Sequence, residues 1–387
     1  MTGGRGESPT RNREVGVLKT QAAVLLEPDA RWEITELELD PPKDNEVLIR
    51  FMASGLCHSD EHVRSHITKA RLPMVGGHEG AGIIEAVGPG VTRVAKGDHV
   101  ICSYIPVCGR CRYCSTGHQN LCDVGLNAMV GCLIDGTYRF HLDGQDVGAM
   151  CVLGTFSQYA VISELSVVKI EGEFPFEVGA LLGCGVPTGW GSSVYAAGVR
   201  AGETVVVYGV GGVGINAVQG ARYAGAKNVV AVDPLDFKLE MAQVAGATHI
   251  AKTHDEAREM VVQLTWGELA DHAIITADLA TAELTQQAVD MIGKGGSVVV
   301  TSVADYDELS LQMSSAPITG WQRRIQGALF GASNPLFDIP RMLELYRRGE
   351  LKVSELITRR YRLDEVNEGY EDLLEGKNIR GVLVHEH

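Results

Sequence analysis

The sequence predicts an α/β protein in which a β-rich unit is joined to a doubly wound parallel sheet. Three observations predict it. Short β-branched runs punctuated by glycine and proline fill the chain from Val24 to about Gly183. A strand, a glycine-rich turn, a helix and a second strand follow one another from Glu203 to Pro234. Strands and helices then alternate to about Ala328. The 387 residues are 45% hydrophobic and 21% charged, which suits two domains with substantial cores.

The opening "MTGGRGESPTRNREVG" is polar and basic and reads as a disordered tail, residues 1–20, ahead of a first strand near Val24. It has no apolar core, so it is not a secretory signal. No apolar run is long enough to span a bilayer. The expected compartment is the cytosol, where thiols stay reduced. A net charge of −15 argues against a nucleic-acid partner, which needs a basic face. The segments "EVLIRFMAS", "EGAGIIEAVG", "DHVICSY" and "FSQYAVIS" read as strands of the β-rich unit.

Within that unit "CGRCRYCSTGHQNLC" holds four of the nine cysteines. Cys108, Cys111, Cys114 and Cys122 are spaced C-x2-C-x2-C-x7-C, which is not a ferredoxin spacing, and reduced thiols exclude disulfides. Four thiolates make a closed tetrahedral zinc site with no position left for substrate, so this lobe is structural. An open site needs other ligands. "GLCHSDEH" supplies Cys57, His58, Ser59, Asp60 and His62; "GGHEGAG" supplies His78 and Glu79; "LLGCGVPTGWGS" supplies Cys184. Cys57, His78 and Cys184 would make a catalytic Cys2His set with water as the fourth ligand. Taken singly, each also suits a core cysteine or a turn histidine.

The run Val205–Tyr208 is β-branched and reads as a buried parallel strand. Gly209, Gly211 and Gly214 then form G-x-G-x-x-G, the segment Val213–Ala224 is helical, and Asn228–Val232 is a second strand ending at Asp233. Such glycines let backbone approach a pyrophosphate at a helix N-terminus. Asp233 would accept hydrogen bonds from the adenosine ribose and repel an extra phosphate, which favours NAD over NADP. Lys238 either reaches that ribose or is a solvated surface lysine. "GSVVVTSV" reads as a strand at the sheet edge, suited to continuing a sheet between subunits. The helical "DIPRMLELYRRG" and "LDEVNEGYEDLLEG" and the strand "RGVLVHE" are expected to fold back onto the first unit.

These landmarks, with "DGTYRF", "LGTFSQYAV" and "NIRGVL", resemble the zinc-dependent medium-chain alcohol dehydrogenases from about Val24 onward. "LGTFSQY" and "FGASNPLFDIP" are most similar to the actinobacterial nicotinoprotein type, the nitrosodimethylaniline-dependent alcohol dehydrogenases. The resemblance implies a GroES-like catalytic domain, residues 21–186 and 329–387, and a Rossmann domain, residues 187–328. It implies two zinc ions per chain. Cys57, His78 and Cys184 would hold the catalytic zinc with Glu79 behind it, and the four lobe cysteines the structural one. Ser59 and His62 match proton-relay positions, Thr188 lies near the nicotinamide, and Arg380 approaches the pyrophosphate. His58 stands where many relatives carry an arginine for that pyrophosphate. Tyr104, Val107 and Trp190 are placed, with Ser59, in the substrate pocket.

The implied reaction is hydride transfer between an alcohol and NAD(H), giving an aldehyde or ketone. In the nicotinoprotein type the cofactor stays bound and a second acceptor, mycofactocin in actinobacteria, reoxidises it. A homodimer or homotetramer is implied. Two competing functions are a formaldehyde-type dehydrogenase acting on a thiol adduct and a non-catalytic zinc-lobe binding protein. The first would need a cationic or polar funnel for the thiol, and no motif supplies one. The second would leave the Cys57, His78 and Cys184 set without a purpose.

Overall fold

The computed structural model describes residues 16–303 and 315–387. The expected tail up to residue 15 lies outside the described residues, and β1 (Leu18–Leu25) takes in the last three residues of the expected tail, 18–20. A small closed barrel is formed by β1, β2 (Glu33–Leu39), β7 (Phe140–Leu142), β8 (Gln145–Ala149) and β4 (Met74–Val75). Beside it lies a sheet of β10 (Val167–Lys169), β6 (His99–Cys102), β5 (Gly80–Val87), β3 (Glu46–Gly55), β18 (Arg380–Val384) and β17 (Ile357–Tyr361), in that order.

Strand β3 organises this sheet. Its ten residues are nearly all buried, as "EVLIRFMASG" demands of a strand covered on both faces. Its first half pairs with β9 (Tyr159–Ser163) and its last residues pair with β18. The tail therefore returns to the first unit, as its strand-like "RGVLVHE" predicts. One face of the sheet packs on α3 (Phe176–Leu182), α4 (Gly185–Gly191) and α10 (Pro335–Arg347) through Ala81, Ile101, Leu181, Val186 and Met342. Three short or peripheral helices are α1 (His58–Arg64), α2 (Arg112–Ser115) and α11 (Val366–Leu374).

The second unit is a six-stranded parallel sheet. Its order is β13 (His249–Ala251), β12 (Asn228–Val232), β11 (Thr204–Tyr208), β14 (Ala270–Ile275), β15 (Ile292–Val300) and β16 (Arg324–Gly327). Between the strands run α5 (Gly214–Tyr223), α6 (Asp236–Val244), α7 (His254–Leu264), α8 (Ala282–Met291) and α9 (Ser315–Trp321). Alternation along β11 shows helices on both faces: Val205 and Val207 pack with Ile215 and Val218, while Val206 and Tyr208 pack with Val261 and Ile275. Each such fully buried valine contributes about 1.5–3 kcal/mol of hydrophobic stabilisation. Because β12 lies on one side of β11 and β14 on the other, the carboxyl ends of these strands open a crevice at a switch point.

One expectation is corrected. "GSVVVTSV" is not the edge of the sheet, since β15 pairs with β14 on one side and β16 on the other. The edge strand on that side is β16, whose four residues "RIQG" carry no apolar run that sequence patterning could register.

Candidate active site

Three loops meet between the two units. Strand β3 stops at Gly55, and Cys57 caps the N-terminus of α1 in extended conformation. The i, i+1, i+4 spacing then aims His58, Ser59 and His62 into one cleft. The loop ahead of β5 carries His78 and Glu79, and Cys184 caps α4. Cys57, His78, Glu79 and Cys184 each bring one ligand atom within 4.8 Å of the others.

Asp60 fixes this cluster from behind. Its carboxylate accepts the Gly77 N–H at 2.9 Å and faces His78 Nδ1 at 3.3 Å. An acceptor there makes Nδ1 the protonated nitrogen and leaves Nε2 free as a ligand. Asp60 stood among the sequence candidates without a role; its partner lies eighteen residues on, across the fold. The Cys57 thiol is held well below its usual range, first by its hydrogen bond with Cys184 and then by His78, against the effect of burial. Two cysteines and a histidine with a fixed tautomer suit zinc, which binds thiolate and neutral imidazole.

Glu79 is fully buried and pairs with Arg380, which also donates to the Leu56 carbonyl at 3.2 Å. Burial pushes the Glu79 carboxyl up to about 7 despite that guanidinium. The Arg380 stem lies against the glycine turn, where a Cβ on Gly212 would collide with its Cδ.

The glycine turn is built for close approach. Gly209 has φ +81°, and a Cβ there would press on the Ala277 backbone. A Cβ on Gly214, the first residue of α5, would overlap the Gly209 carbonyl. Asp233 clasps the turn, accepting from Val210 N and Leu235 N at 3.0 Å each. Lys238 Nζ stands over it, 3.9 Å from the Cβ position of Gly211. Cys57, His58, Ser59, His62, His78, Cys184, Thr188, Gly209, Gly211, Asp233, Lys238 and Arg380 all line one cleft of about 930 Å³. The buried Thr188 Oγ1 has no partner among the described residues, a polar atom suited to a ligand in that cleft. Burial, more than any neighbouring charge, pulls the His58 imidazole below its usual range, so it is neutral at physiological pH.

Tyr104 lies in the cleft, edge-on to the His78 ring at 5.7 Å and to Phe330 at 5.3 Å. Burial holds its phenol far above the usual range, so the hydroxyl stays neutral. The other two pocket residues are corrected. Val107 packs with Cys114 and Cys122, and Trp190 is buried between Tyr195 and Tyr223 with Arg341 over its ring at 5.2 Å. Neither lines the cleft. Their places there are taken by Met129, Met150, Cys151 and Phe330, of which only Phe330 stands in a quoted segment, as the first residue of "FGASNPLFDIP".

The four-cysteine lobe is also assembled, with its ligand atoms within 4.8 Å of one another. Cys108 and Cys114 sulfurs are 3.9 Å apart, close to the about 3.8 Å edge of a tetrahedron with 2.3 Å zinc–sulfur bonds. Backbone N–H groups of Cys108, Cys111 and Cys114 point at Cys122, Cys108 and Cys111 sulfurs at 3.3–3.4 Å. The hydrogen bond from Cys114 N–H is the chief reason the Cys111 thiol falls to about 6. All nine cysteines are free.

Thiolate and imidazole ligands at the mouth of a dinucleotide-type glycine turn define a metal-dependent oxidoreductase using a nicotinamide-type cofactor. Residues 43–172 match the family model "Alcohol dehydrogenase GroES-like domain" and residues 212–347 match "Zinc-binding dehydrogenase". The NDMA-dependent alcohol dehydrogenase of Amycolatopsis methanolica is 55% identical over 95% of this chain and 99% of its own. An alcohol dehydrogenase zinc-binding domain protein from Burkholderia ambifaria superposes with TM-score 0.90 at 30% identity, over 96% of this chain and all of that one. Benzyl alcohol dehydrogenase from Acinetobacter calcoaceticus gives 0.88 at 31% identity, over 95% and 100%. The chain belongs to the zinc-dependent alcohol dehydrogenase family. It is an oxidoreductase acting on small-molecule alcohols with zinc and a nicotinamide-type cofactor, a reading favoured over a thiol-adduct dehydrogenase or a zinc-lobe binding module. Among the described residues no helix is long and apolar enough to cross a membrane.

Proposed function

We propose that this enzyme keeps its NAD(H) bound between turnovers and passes the electrons to a second acceptor. The observation that carries the reading is the 55% identity, over nearly the whole chain, to a relative named for its dependence on NDMA. Mycofactocin is the proposed physiological acceptor, and the cytosol the proposed compartment. Residues 21–186 with 329–387 form the proposed catalytic unit, and 187–328 the nucleotide unit. We assign a homodimer or homotetramer, with β16 as the edge available for sheet continuation.

Cys57, His78 and Cys184 are assigned to a catalytic zinc, and Cys108, Cys111, Cys114 and Cys122 to a structural one, two per chain. The bound groups supply a Lewis acid that acidifies the alcohol and a nicotinamide that accepts hydride. The residues do the rest. Ser59, whose Oγ lies 3.7 Å from Cys57 Sγ, takes the alcohol proton at its hydroxyl, and His62 carries the proton toward solvent. Tyr104 and Phe330 wall the pocket and exclude water. Glu79 stays behind the ligands, held by Arg380. Asp233 accepts from the adenosine ribose, Lys238 and Arg380 flank the glycine turn, and Thr188 offers its free hydroxyl to the nicotinamide side. A neutral His58 adds little grip on a pyrophosphate, so retention rests on these other contacts.

The test is the near-ultraviolet spectrum of desalted enzyme, followed by denaturation and enzymatic assay of the supernatant for NAD(H). Cofactor near one equivalent per chain, with poor use of added NAD, is expected. Cofactor-free protein that turns over well with added NAD would refute retention.

A further inference from the structure

His62 belongs to α1 of the catalytic unit, but its hydrogen-bond partner does not. Its Nε2 lies 2.9 Å from Oδ1 of Asp278, on the loop that follows β14 in the nucleotide unit. The imidazole is 4% exposed, while the Asp278 side chain is 53% exposed. The other ring nitrogen, Nδ1, is buried and has no partner among the described residues. Both residues line the cleft.

We propose that Asp278 is a positioning residue for proton release, reaching across the cleft to fix the tautomer of His62 and to lead its proton to solvent. This rests on the relay reading of Ser59 and His62. A carboxylate only accepts, so Nε2 carries the proton and Nδ1 keeps its lone pair. That leaves the unpartnered Nδ1 as the atom that takes the proton arriving from the cleft. When it does so, the imidazolium faces a carboxylate at hydrogen-bond distance, a charge-assisted contact. The Nε2 proton then leaves through the half-exposed carboxylate to water, and exchange with water restores the Nε2–H form. One proton enters at Nδ1 and one leaves at Nε2, so each alcohol oxidised sends one proton to solvent.

The geometry favours this over a plain surface ion pair. The partner is buried, the contact joins two separate units, and it leaves a polar atom unused beside the reacting groups. The groups facing Asp278 are His62, His58 at 3.9 Å and Lys238. Around His62 stand His58, whose ring centroid is 6.4 Å away, and Asp60 and Glu61 on its own helix, with Glu61 paired to Arg64. The hydrogen bond from His62 holds the Asp278 carboxyl below its usual range, which keeps it ionised at working pH.

The test is single-turnover oxidation of benzyl alcohol by the zinc-loaded enzyme carrying one equivalent of NAD, followed by nicotinamide absorbance across pH. Asp278→Asn keeps an oxygen acceptor for Nε2–H but removes the charge; Asp278→Ala removes both, and Asp278→Glu restores the charge. In Asp278→Asn the midpoint of the rising limb is expected to move toward acid by about one pH unit, the direction a lost negative charge requires. Asp278→Ala is expected to lower the plateau rate about tenfold with little change in alcohol KM, and Asp278→Glu to recover most of it. His62→Gln provides the control and should abolish the limb. If His62→Gln abolishes it while both Asp278→Asn and Asp278→Ala leave midpoint and plateau unchanged, Asp278 has no such role. If His62→Gln leaves the limb intact, the relay reading itself falls.

Discussion

Acid should weaken this fold through His385, the residue after β18. It is 5% exposed, and its Nε2 lies 3.1 Å from both Ser54 Oγ and the Thr155 carbonyl, so Nε2 carries the proton. Nδ1 is buried with no partner. Burial first, then the charge of His387, lower its pKa from 6.5 to about 4. A base held neutral by the fold costs nothing above its unfolded value. Its penalty grows as pH falls from about 6.5 to about 4, where the unfolded chain binds a proton that the folded one refuses. At about 1.4 kcal/mol per unit the full penalty is about 3 kcal/mol. It falls on the site, because Thr155 N–H donates to the Gly77 carbonyl and Thr155 Oγ1 to the Glu79 carbonyl, bracketing His78. The perturbation is His385→Gln, which keeps a donor but cannot titrate. Urea unfolding of wild type and variant at about pH 8 and about pH 4.5 should show wild type losing about 2–3 kcal/mol more than the variant. Zinc loss in acid affects both chains and cancels in the difference. Equal losses would mean that His385 titrates normally, and the argument would fail.

Cys184→Ser should abolish turnover with the circular dichroism spectrum retained, whereas Cys111→Ser should lower folding yield, because a closed site supports structure; metal analysis on both variants checks this. Ser59→Ala should slow alcohol oxidation by roughly 10²-fold, measured as initial rate across pH, with His62→Gln costing less because water can replace an outer relay group. Arg380→Met leaves the Glu79 carboxyl buried without its partner and should cost about 3–5 kcal/mol in denaturant unfolding, part of which Glu79→Gln restores in the double variant.

The parts of the molecule written in short, contiguous patterns were legible. The bounds of β11, α5 and β12 follow from a β-branched run, glycines at fixed spacing and a terminal acid, all decided by local sterics. The two cysteine-rich clusters were legible because few residue types can bind zinc. What escaped depends on tertiary placement. Asp278 comes to the cleft from the loop after β14 with no pattern to announce it, and Phe330, although it opens "FGASNPLFDIP", carries no local sign that it faces a pocket. Trp190 and Val107 are apolar residues next to site motifs, and whether such a residue faces a pocket or a core depends on what packs there. Strand β16 escaped because four residues of mixed polarity at the end of a sheet show no alternating or continuous apolar pattern.

The position of β18 has a consequence for how the enzyme is made. Arg380 meets Glu79 across 301 residues of chain, and between them lies the whole parallel sheet, β11 to β16. During synthesis the parallel sheet is therefore available to fold as a continuous block while the first unit still lacks β18 and the cation behind the cluster of Cys57, His78, Glu79 and Cys184. Closing so long a loop is entropically unfavourable for a free chain, and a folded insert brings its ends together in advance. The cluster of Cys57, His78, Glu79 and Cys184 thus receives Arg380 behind it only after every strand of the dinucleotide crevice has been made, so a cofactor already seated there would be enclosed as the last strand docks.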